Sequence, residues 1–284
     1  MSLKTLRKAS AVALPNCYSW DARADALSHW AERPLAADDD ANTISLYDVI
    51  GEDWWSGDGF TAKKMGGILR SIGGRDVTVK INSPGGDMFE GLAIYNQLAE
   101  HPGKVTVKVM GIAASAASII AMAGDEVLMG EGTTMMIHRA WGAVIGNYHD
   151  FTAAAPVFDG FDRNMAAIYA GRTGKSEADI IAMLDGPSRR SDGTYLTAAE
   201  AIDQKFADGT FDGAADAAPS ARADVPEPIL ARRRWEAKLA HAGLTRKQRD
   251  EIFSLGQRDA TRNATRDAGV DLADIRRFME NLKS

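Results

Sequence analysis

Short apolar strands alternate with amphipathic helices between residues 44 and 140, and this alternation limits the folds open to the chain. The segment DVTVKINSPGGD (76–87) alternates Val77, Val79 and Ile81, as a half-buried strand does. MFEGLAIYNQLAEH (88–101) has the apolar spacing of a helix, and KVTVKVMG (104–111) is the next strand. The order predicts an α/β domain built from repeated ββα-like units.

The composition indicates an ordinary globular protein and excludes several kinds of site. Of the 284 residues, 45% are hydrophobic and 25% charged. No apolar run reaches the ~18–20 residues of a membrane-spanning helix, and the N-terminal patch SAVALP is too weak for an export signal. Cys17 is the single cysteine, and the five histidines lack HxxxH or HxH spacing. We therefore expect a cytoplasmic protein with no metal and no membrane contact.

The chain divides by composition into four parts. Residues 1–41 predict a flexible N-terminal arm, 42–212 the α/β domain, 213–228 a linker rich in Ala and Pro, and 229–284 a charged helical tail. The net charge is −6, and RRRWEAK at 232–238 is the one candidate for a nucleic-acid surface. A solvated helix face explains it better, so we expect no nucleic-acid partner. The chain has no P-loop or GxGxxG motif, which predicts no bound nucleotide or other cofactor.

Three features inside the α/β domain point to nucleophilic catalysis. NSPGG (82–86) places two glycines where a strand ends, and such a turn presents backbone N–H groups to an anion. Ser115 follows the strand 104–111 and lies within the first residues of the buried helix that the apolar segment MGIAASAASIIAMAG (110–124) predicts. His138 ends the strand TTMMIH. Together they could supply oxyanion donors, a nucleophile and a base, whereas Ser118 is expected to bond a carbonyl one turn earlier.

These motifs resemble a known family. INSPGGDMFEGLAIYNQL, MGIAASAAS and MMIHRA are similar, in order and spacing, to the Clp protease proteolytic subunit, and the details are closer to the Clp-related head-maturation proteases of tailed bacteriophages. The resemblance covers roughly 42–210 and implies the ClpP/crotonase-like α/β fold. It implies that Ser115 is the nucleophile and His138 the general base. The backbone N–H groups of Gly86 and Ala116 would form the oxyanion hole.

The third catalytic residue departs from the family pattern. The family places an Asp two residues before the hydrophobic residue that opens the helix-start motif, here YLTAAEA, and that position is Gly193. The longer loop DGPSRRSDGTY offers Asp192, our first choice, and Asp185. A third possibility is that no acid orients His138, which would lower the rate by a large factor, ~10⁴ in one serine protease.

The resemblance implies a serine endopeptidase that cleaves capsid or scaffold proteins during phage prohead maturation. It also implies self-association through the long helix, in rings, and an ATP-dependent unfoldase would be a separate protein. Three alternatives stay open: a structural scaffold with an inactive ClpP-like domain, a crotonase-type acyl-CoA enzyme, and a peptidase with a Ser–Lys pair. The Ser115/His138 pair disfavours the last two.

Two further sets of residues receive structural interpretations. Asp87 and Glu90 follow the glycine turn, where carboxylates cap a helix, and we expect that role for them. Trp54, Trp55 and Trp141 could line a peptide groove, but packing in the core or at its edge is favoured.

Overall fold

The computed structural model describes residues 23–31, 42–51, 59–187, 193–211 and 227–253. Its helices are α1 (Ala24–Ala31), α2 (Ala62–Ile72), α3 (Met88–Ala99), α4 (Ala116–Ala121), α5 (Tyr148–Thr173), α6 (Glu177–Asp185), α7 (Ala198–Asp203) and α8 (Glu227–His241). Its strands are β1 (Thr43–Leu46), β2 (Val77–Ser83), β3 (Val105–Ala114), β4 (Glu126–Met129), β5 (Thr134–Ile137), β6 (Thr194–Thr197) and β7 (Gly209–Thr210).

The strands form one mixed sheet, and β3 is its central strand. The parallel strands follow the order β1-β2-β3-β4-β7, while β5 lies parallel to the second half of β3 and pairs antiparallel with β6. Helices connect the parallel strands, as parallel pairing requires. The predicted α/β class is confirmed. The carboxyl ends of β2, β3 and β5 consequently meet at one edge, where open α/β sheets bind ligands.

The end of β3 is buried on both faces. Ala113, together with Met135 and Ile137 of β5, belongs to the main core between the sheet and helices α2 to α7. Ile112 and Ala114 face the other way, because successive side chains of a strand point to opposite faces. This second face packs against α1 and α8, which contribute Ala26, Leu27, Trp30 and Ala237.

The N-terminal segment differs from the expected flexible arm at residues 24–31. There α1 buries Ala26, Leu27 and Trp30 against the sheet and against α8, so this part is a packed helix. An eight-residue helix is unstable alone, and contacts distant in sequence stabilise it. Residues 1–22 and 32–41 lie outside the described residues, as do 212–226 of the linker region and 254–284 of the tail.

The tail and the region after α6 also differ in detail from the prediction. The tail begins with the predicted helix, since α8 starts at Glu227, and residues 246–253 are helical as well. Thr194 and Tyr195, which the sequence places in the loop DGPSRRSDGTY, belong to β6, which pairs with β5. In the described part of the chain, no helix is both long and apolar enough to cross a membrane. The four domain boundaries stay predictions.

Candidate active site

Ser115 occupies the turn between β3 and α4 in a conformation rare for a residue with a side chain. Its φ is 54° and its ψ −124°, and its N–H donates to the carbonyl of Met136 at 2.8 Å. A positive φ outside glycine costs about 1–3 kcal/mol and persists only where the surroundings enforce it. The strand is longer than predicted, ending at Ala114, and α4 is shorter, from Ala116 to Ala121. The sharp strand-to-helix turn leaves the Ser115 side chain half-buried at the edge of the sheet.

His138 lies directly after β5 and reaches the serine. The parallel register of β3 and β5 places Ala114 beside Met136, so the residues that follow these strands are neighbours. His138 Nε2 lies 2.7 Å from Ser115 Oγ, and the histidine is only 6% exposed. With the proton of the neutral imidazole on Nδ1, the serine hydroxyl donates to Nε2. This is the contact that a general base needs to activate a nucleophile.

The glycine turn packs directly against Ser115. Gly85 and Gly86 have φ values of 87° and 149°. A Cβ on Gly85 would lie 2.7 Å from the Cβ of Ser115, and a Cβ on Gly86 would overlap the carbonyl of Ile50. Only glycine fits at both positions. Gly86 and Ala116 line one cleft with Ser115 and His138, where the sequence predicts the oxyanion hole.

The remaining cleft wall is mostly apolar. It is formed by Met88, Ile119, Ala140, Trp141 and Met165, with Arg139 beside them. Trp141 is 44% exposed and lines the cleft, so it is not a core residue and fits the groove alternative better than packing in the core. Trp54 and Trp55 lie outside the described residues.

Ser118 has the structural role that the sequence predicts. It is fully buried, and its hydroxyl donates to the carbonyl of Ser115 at 2.6 Å and lies 2.8 Å from the Tyr169 hydroxyl. Burial raises the pKa of Tyr169, so that phenol stays protonated. Asp87 is confirmed as the cap of α3, because it accepts the N–H groups of Phe89 and Glu90. Glu90 lies in the first turn of α3, where its negative charge favours the helix dipole as expected, and its carboxylate also accepts the N–H of Ala62 at 2.5 Å.

The two candidate acids differ in what the structure says about them. Asp192 lies outside the described residues. Both carboxylate oxygens of Asp185 accept hydrogen bonds from Arg139, at 2.5 and 3.0 Å. Gly193, the position of the family acid, has φ 74°, and a Cβ there would lie 2.6 Å from the Cβ of His138. The backbone at 193 therefore touches His138 and leaves no room for a side chain.

The sequence did not reveal a charged cluster beside His138. Arg139 also bonds Asp162 at 2.8 Å, and Asp162 accepts the N–H of Ala140 at 2.7 Å. The motif MMIHRA shows a basic residue after the histidine, but its partners lie 23 and 46 residues further along the chain. Within the described ranges, no group of acidic, histidine and cysteine side chains could hold a metal ion.

Comparison with known proteins assigns the chain to a family. The Clp protease family model matches residues 68–212, which include every candidate site residue. The chain belongs to the Clp protease family. It is 31% identical over 141 residues to the ATP-dependent Clp protease proteolytic subunit 4, chloroplastic, of Arabidopsis thaliana, covering 49% of this chain and 46% of that protein. It is 31% identical over 149 residues to the ATP-dependent Clp protease proteolytic subunit 3 of Streptomyces coelicolor, covering 51% and 65%.

The chain thus spans about half the length of the first of these relatives and less than two thirds of the second. Among solved structures, ClpP1 from Listeria monocytogenes matches with a TM-score of 0.49 and 23% identity, over 61% of this chain and 92% of that one.

Proposed function

We propose that this chain is a serine endopeptidase that forms its acyl-enzyme on Ser115. The observation that carries the proposal is the 2.7 Å contact between Ser115 Oγ and His138 Nε2, made from a positive-φ turn that packs against Gly85. Family membership supports the same chemistry. A crotonase-type reaction has no use for the serine–histidine pair.

The mechanism follows from these positions. The Ser115 oxygen attacks the peptide carbonyl while His138 Nε2 takes its proton, and the N–H groups of Gly86 and Ala116 stabilise the oxyanion. Collapse of the tetrahedral intermediate breaks the C–N bond, and the imidazolium returns the proton to the leaving amine. Water, deprotonated by His138, then hydrolyses the ester and regenerates the serine.

For the orienting acid we propose Asp192. Asp185 is engaged by Arg139 through both oxygens, whereas Asp192 precedes Gly193, whose backbone touches His138. Asp192→Asn should then lower kcat by about 10⁴-fold, as loss of the acid does elsewhere. Asp185→Asn, a matched substitution seven positions earlier, should lower it less. If neither variant loses activity, His138 is oriented by a different acid or by no acid at all.

For the substrates we propose capsid or scaffold proteins cut during prohead maturation in the host cytoplasm, by a homo-oligomeric ring. The motif resemblance to phage proteases supports this, and the apolar cleft wall favours an apolar side chain next to the cut bond. An ATP-dependent unfoldase, where one takes part, is a separate protein. Proheads assembled from a tailed-phage capsid protein and its scaffold test the point: we expect a few defined cuts without any ATPase. Degradation that requires an unfoldase and yields short peptides would instead indicate a housekeeping role.

A fluorophosphonate probe tests the central assignment. The probe phosphonylates an activated serine, so the wild-type protein should be labelled and Ser115→Ala should not. Ser118→Ala is the matched control three residues away and should retain labelling, measured by intact-protein mass spectrometry. Equal labelling of wild type and Ser115→Ala would contradict the assignment. A folded but unlabelled wild type would favour the alternative of a scaffold with an inactive domain. That alternative is open because Gly193 stands where the family has its catalytic Asp.

A further inference from the structure

The charged cluster behind His138 carries a role that the peptidase mechanism leaves unassigned. Arg139 donates to two carboxylates from different elements, Asp162 in the middle of α5 and Asp185 at the end of α6. Asp162 in turn accepts the backbone N–H of Ala140 at 2.7 Å. One buried carboxylate therefore fixes both the side chain of the residue after His138 and the backbone of the next one.

This fixation occurs where the sheet no longer holds the chain. β5 ends at Ile137, so the ladder with β3 and β6 holds residues up to that point. His138 and the two residues after it have left the strand but must keep the imidazole within hydrogen-bonding distance of Ser115. The bonds from Arg139 and Ala140 to Asp162 replace the ladder at this point.

The cluster holds the carboxylate of Asp162 in the interior, and desolvation of this group costs free energy. Its side chain is 5% exposed, and Asp162 is the only buried carboxylate among the residues that the structure describes. Burial raises the pKa of Asp162, and the hydrogen bond from Arg139 opposes that rise. Removing one partner of such a pair leaves an uncompensated charge in the interior.

The second carboxylate connects the cluster to the other side of the histidine. Asp185 is followed by Gly186, and a Cβ on Gly186 would overlap the backbone of Gly193. Gly193 itself packs against His138. Through Asp185, Arg139 thus anchors the backbone at the point where residues 186 and 193 meet beside the imidazole.

We propose that Arg139 is a positioning residue, held by Asp162 and Asp185, that fixes His138 in the orientation required to activate Ser115. The inference rests on the proposed peptidase function for its kinetic effect, but not for its structural effect. Arg139 also lines the cleft, and a substrate-binding cation there would act differently: it would change KM, whereas a positioning residue changes kcat.

The test compares Arg139→Met and Asp162→Asn with wild type in peptide cleavage and in the rate of fluorophosphonate labelling. We expect kcat and the labelling rate to fall about 100-fold, as a misplacement of about 1 Å can produce, with KM within about two-fold of wild type. Arg163→Met is the matched control, because Arg163 lies on α5 and pairs only with the exposed Asp159 in the described structure. Its kinetics should match wild type. A raised KM with unchanged kcat in Arg139→Met would overturn the proposal in favour of substrate binding.

A double-mutant cycle separates positioning from general loss of stability. If Arg139 and Asp162 act as one unit, the double variant should lose less activity than the product of the two single losses. Multiplicative losses would overturn the proposal. The thermal unfolding curve of each variant shows whether the protein is folded at the temperature of the assay.

NMR of the histidine rings reports on the structural effect without any activity. His138 should give one sharp set of ring signals in wild type and exchange-broadened or multiple signals in Arg139→Met, with His138→Gln providing the assignment. If the wild type is not labelled by the probe but these signals change, the peptidase function fails and the positioning role stands. Unchanged His138 signals in Arg139→Met would overturn the positioning role itself.

Discussion

Ser115 and Ser118 lie three residues apart, and their hydroxyl groups have opposite environments. Ser115 is half-buried at the cleft and contacts His138, whereas Ser118 is enclosed between the carbonyl of Ser115 and the hydroxyl of Tyr169. The same segment therefore combines a candidate nucleophile with a hydroxyl that holds α4 to α5. The difference comes from the turn at Ser115, since Ser118 lies within the helix.

Ser118→Ala should destabilise the protein without removing its reactive serine. The change leaves the buried Tyr169 hydroxyl without this partner, which costs about 1–3 kcal/mol. Urea unfolding should show a lower midpoint with an unchanged slope, and the fluorophosphonate probe should still label the variant. Loss of labelling in a folded Ser118→Ala protein would contradict the assignment of the nucleophile to Ser115.

Gly193→Ala should reduce the reactivity of the site more than the strain of an alanine with a positive φ alone would. Gly193 has φ 74° and packs against Ile137 and His138, while Gly132 has φ 70° with nothing within 4 Å of an added Cβ. Gly132→Ala therefore measures the conformational cost alone, about 1–2 kcal/mol. Gly193→Ala should add displacement of His138, seen as a much slower labelling rate than in Gly132→Ala. Equal stability and equal labelling of the two variants would contradict the contact.

The sequence predicts the elements whose apolar residues recur with a clear period, but it does not predict the elements that depend on partners distant in sequence. The strands around 77–83 and 105–114 and the helix at 88–99 follow the alternation and spacing of their apolar residues. β6 was missed because its residues TYLT show little pattern and become a strand by pairing with β5. α1 was missed because its eight residues are stabilised by α8, about 200 positions away.

The residues of the candidate site also fall into two groups: those that a local motif predicts and those that depend on partners distant in sequence. Ser115, His138 and the glycine turn carry motif signals, so the sequence could place them at one edge of the sheet. Arg139 and Asp162 are ordinary charged residues in the sequence, and their pairing depends on how α5 packs against the end of β5. The packing that brings α5 there involves residues spread over the whole domain, which no local pattern encodes.

Trp30 should be the residue on which the terminal helices most depend. Its ring lies 3.9 Å from the Arg233 guanidinium, and its Nε1–H donates to the carbonyl of Asn82 at 3.0 Å. Trp30→Phe removes that bond and part of the buried ring but keeps an aromatic face against Arg233, and it should cost about 1–3 kcal/mol. Trp30→Ala also removes the packing around a buried arginine and should cost about 3–5 kcal/mol, measured by urea unfolding.

Trp235 provides the control for this pair of variants. It lies on the same tail helix, is only half-buried, and stacks with Lys238. Trp235→Ala should cost much less than Trp30→Ala. A similar cost for the two would contradict the prediction that the terminal helices depend most on Trp30.

At the scale of the whole molecule, the two terminal segments form one layer behind the site. α1 and α8 cover Ile112, Ala114 and Met136, and Ala114 is the residue before Ser115. Asn82, whose carbonyl accepts from Trp30, also accepts the N–H of Ile112 through its side chain at 3.2 Å. The tail helix thus helps to support β3, which ends at the residue before Ser115, although the helix follows the matched family segment 68–212 in the chain.

A cut between the domain and the tail should therefore leave the tail helix in place. A specific protease site inserted within 213–226, which lies outside the described residues, would separate the segments covalently after purification. Burial of Arg233 and Ala237 against α1 and the sheet should keep the fragments together, and retention at ~1 µM requires about −8 kcal/mol of binding free energy. Size-exclusion chromatography of the cut protein should show one peak that contains both fragments, with fluorophosphonate labelling preserved. The cut Trp30→Ala protein should release the tail, and release from the cut wild type would contradict the support that α8 gives to the sheet.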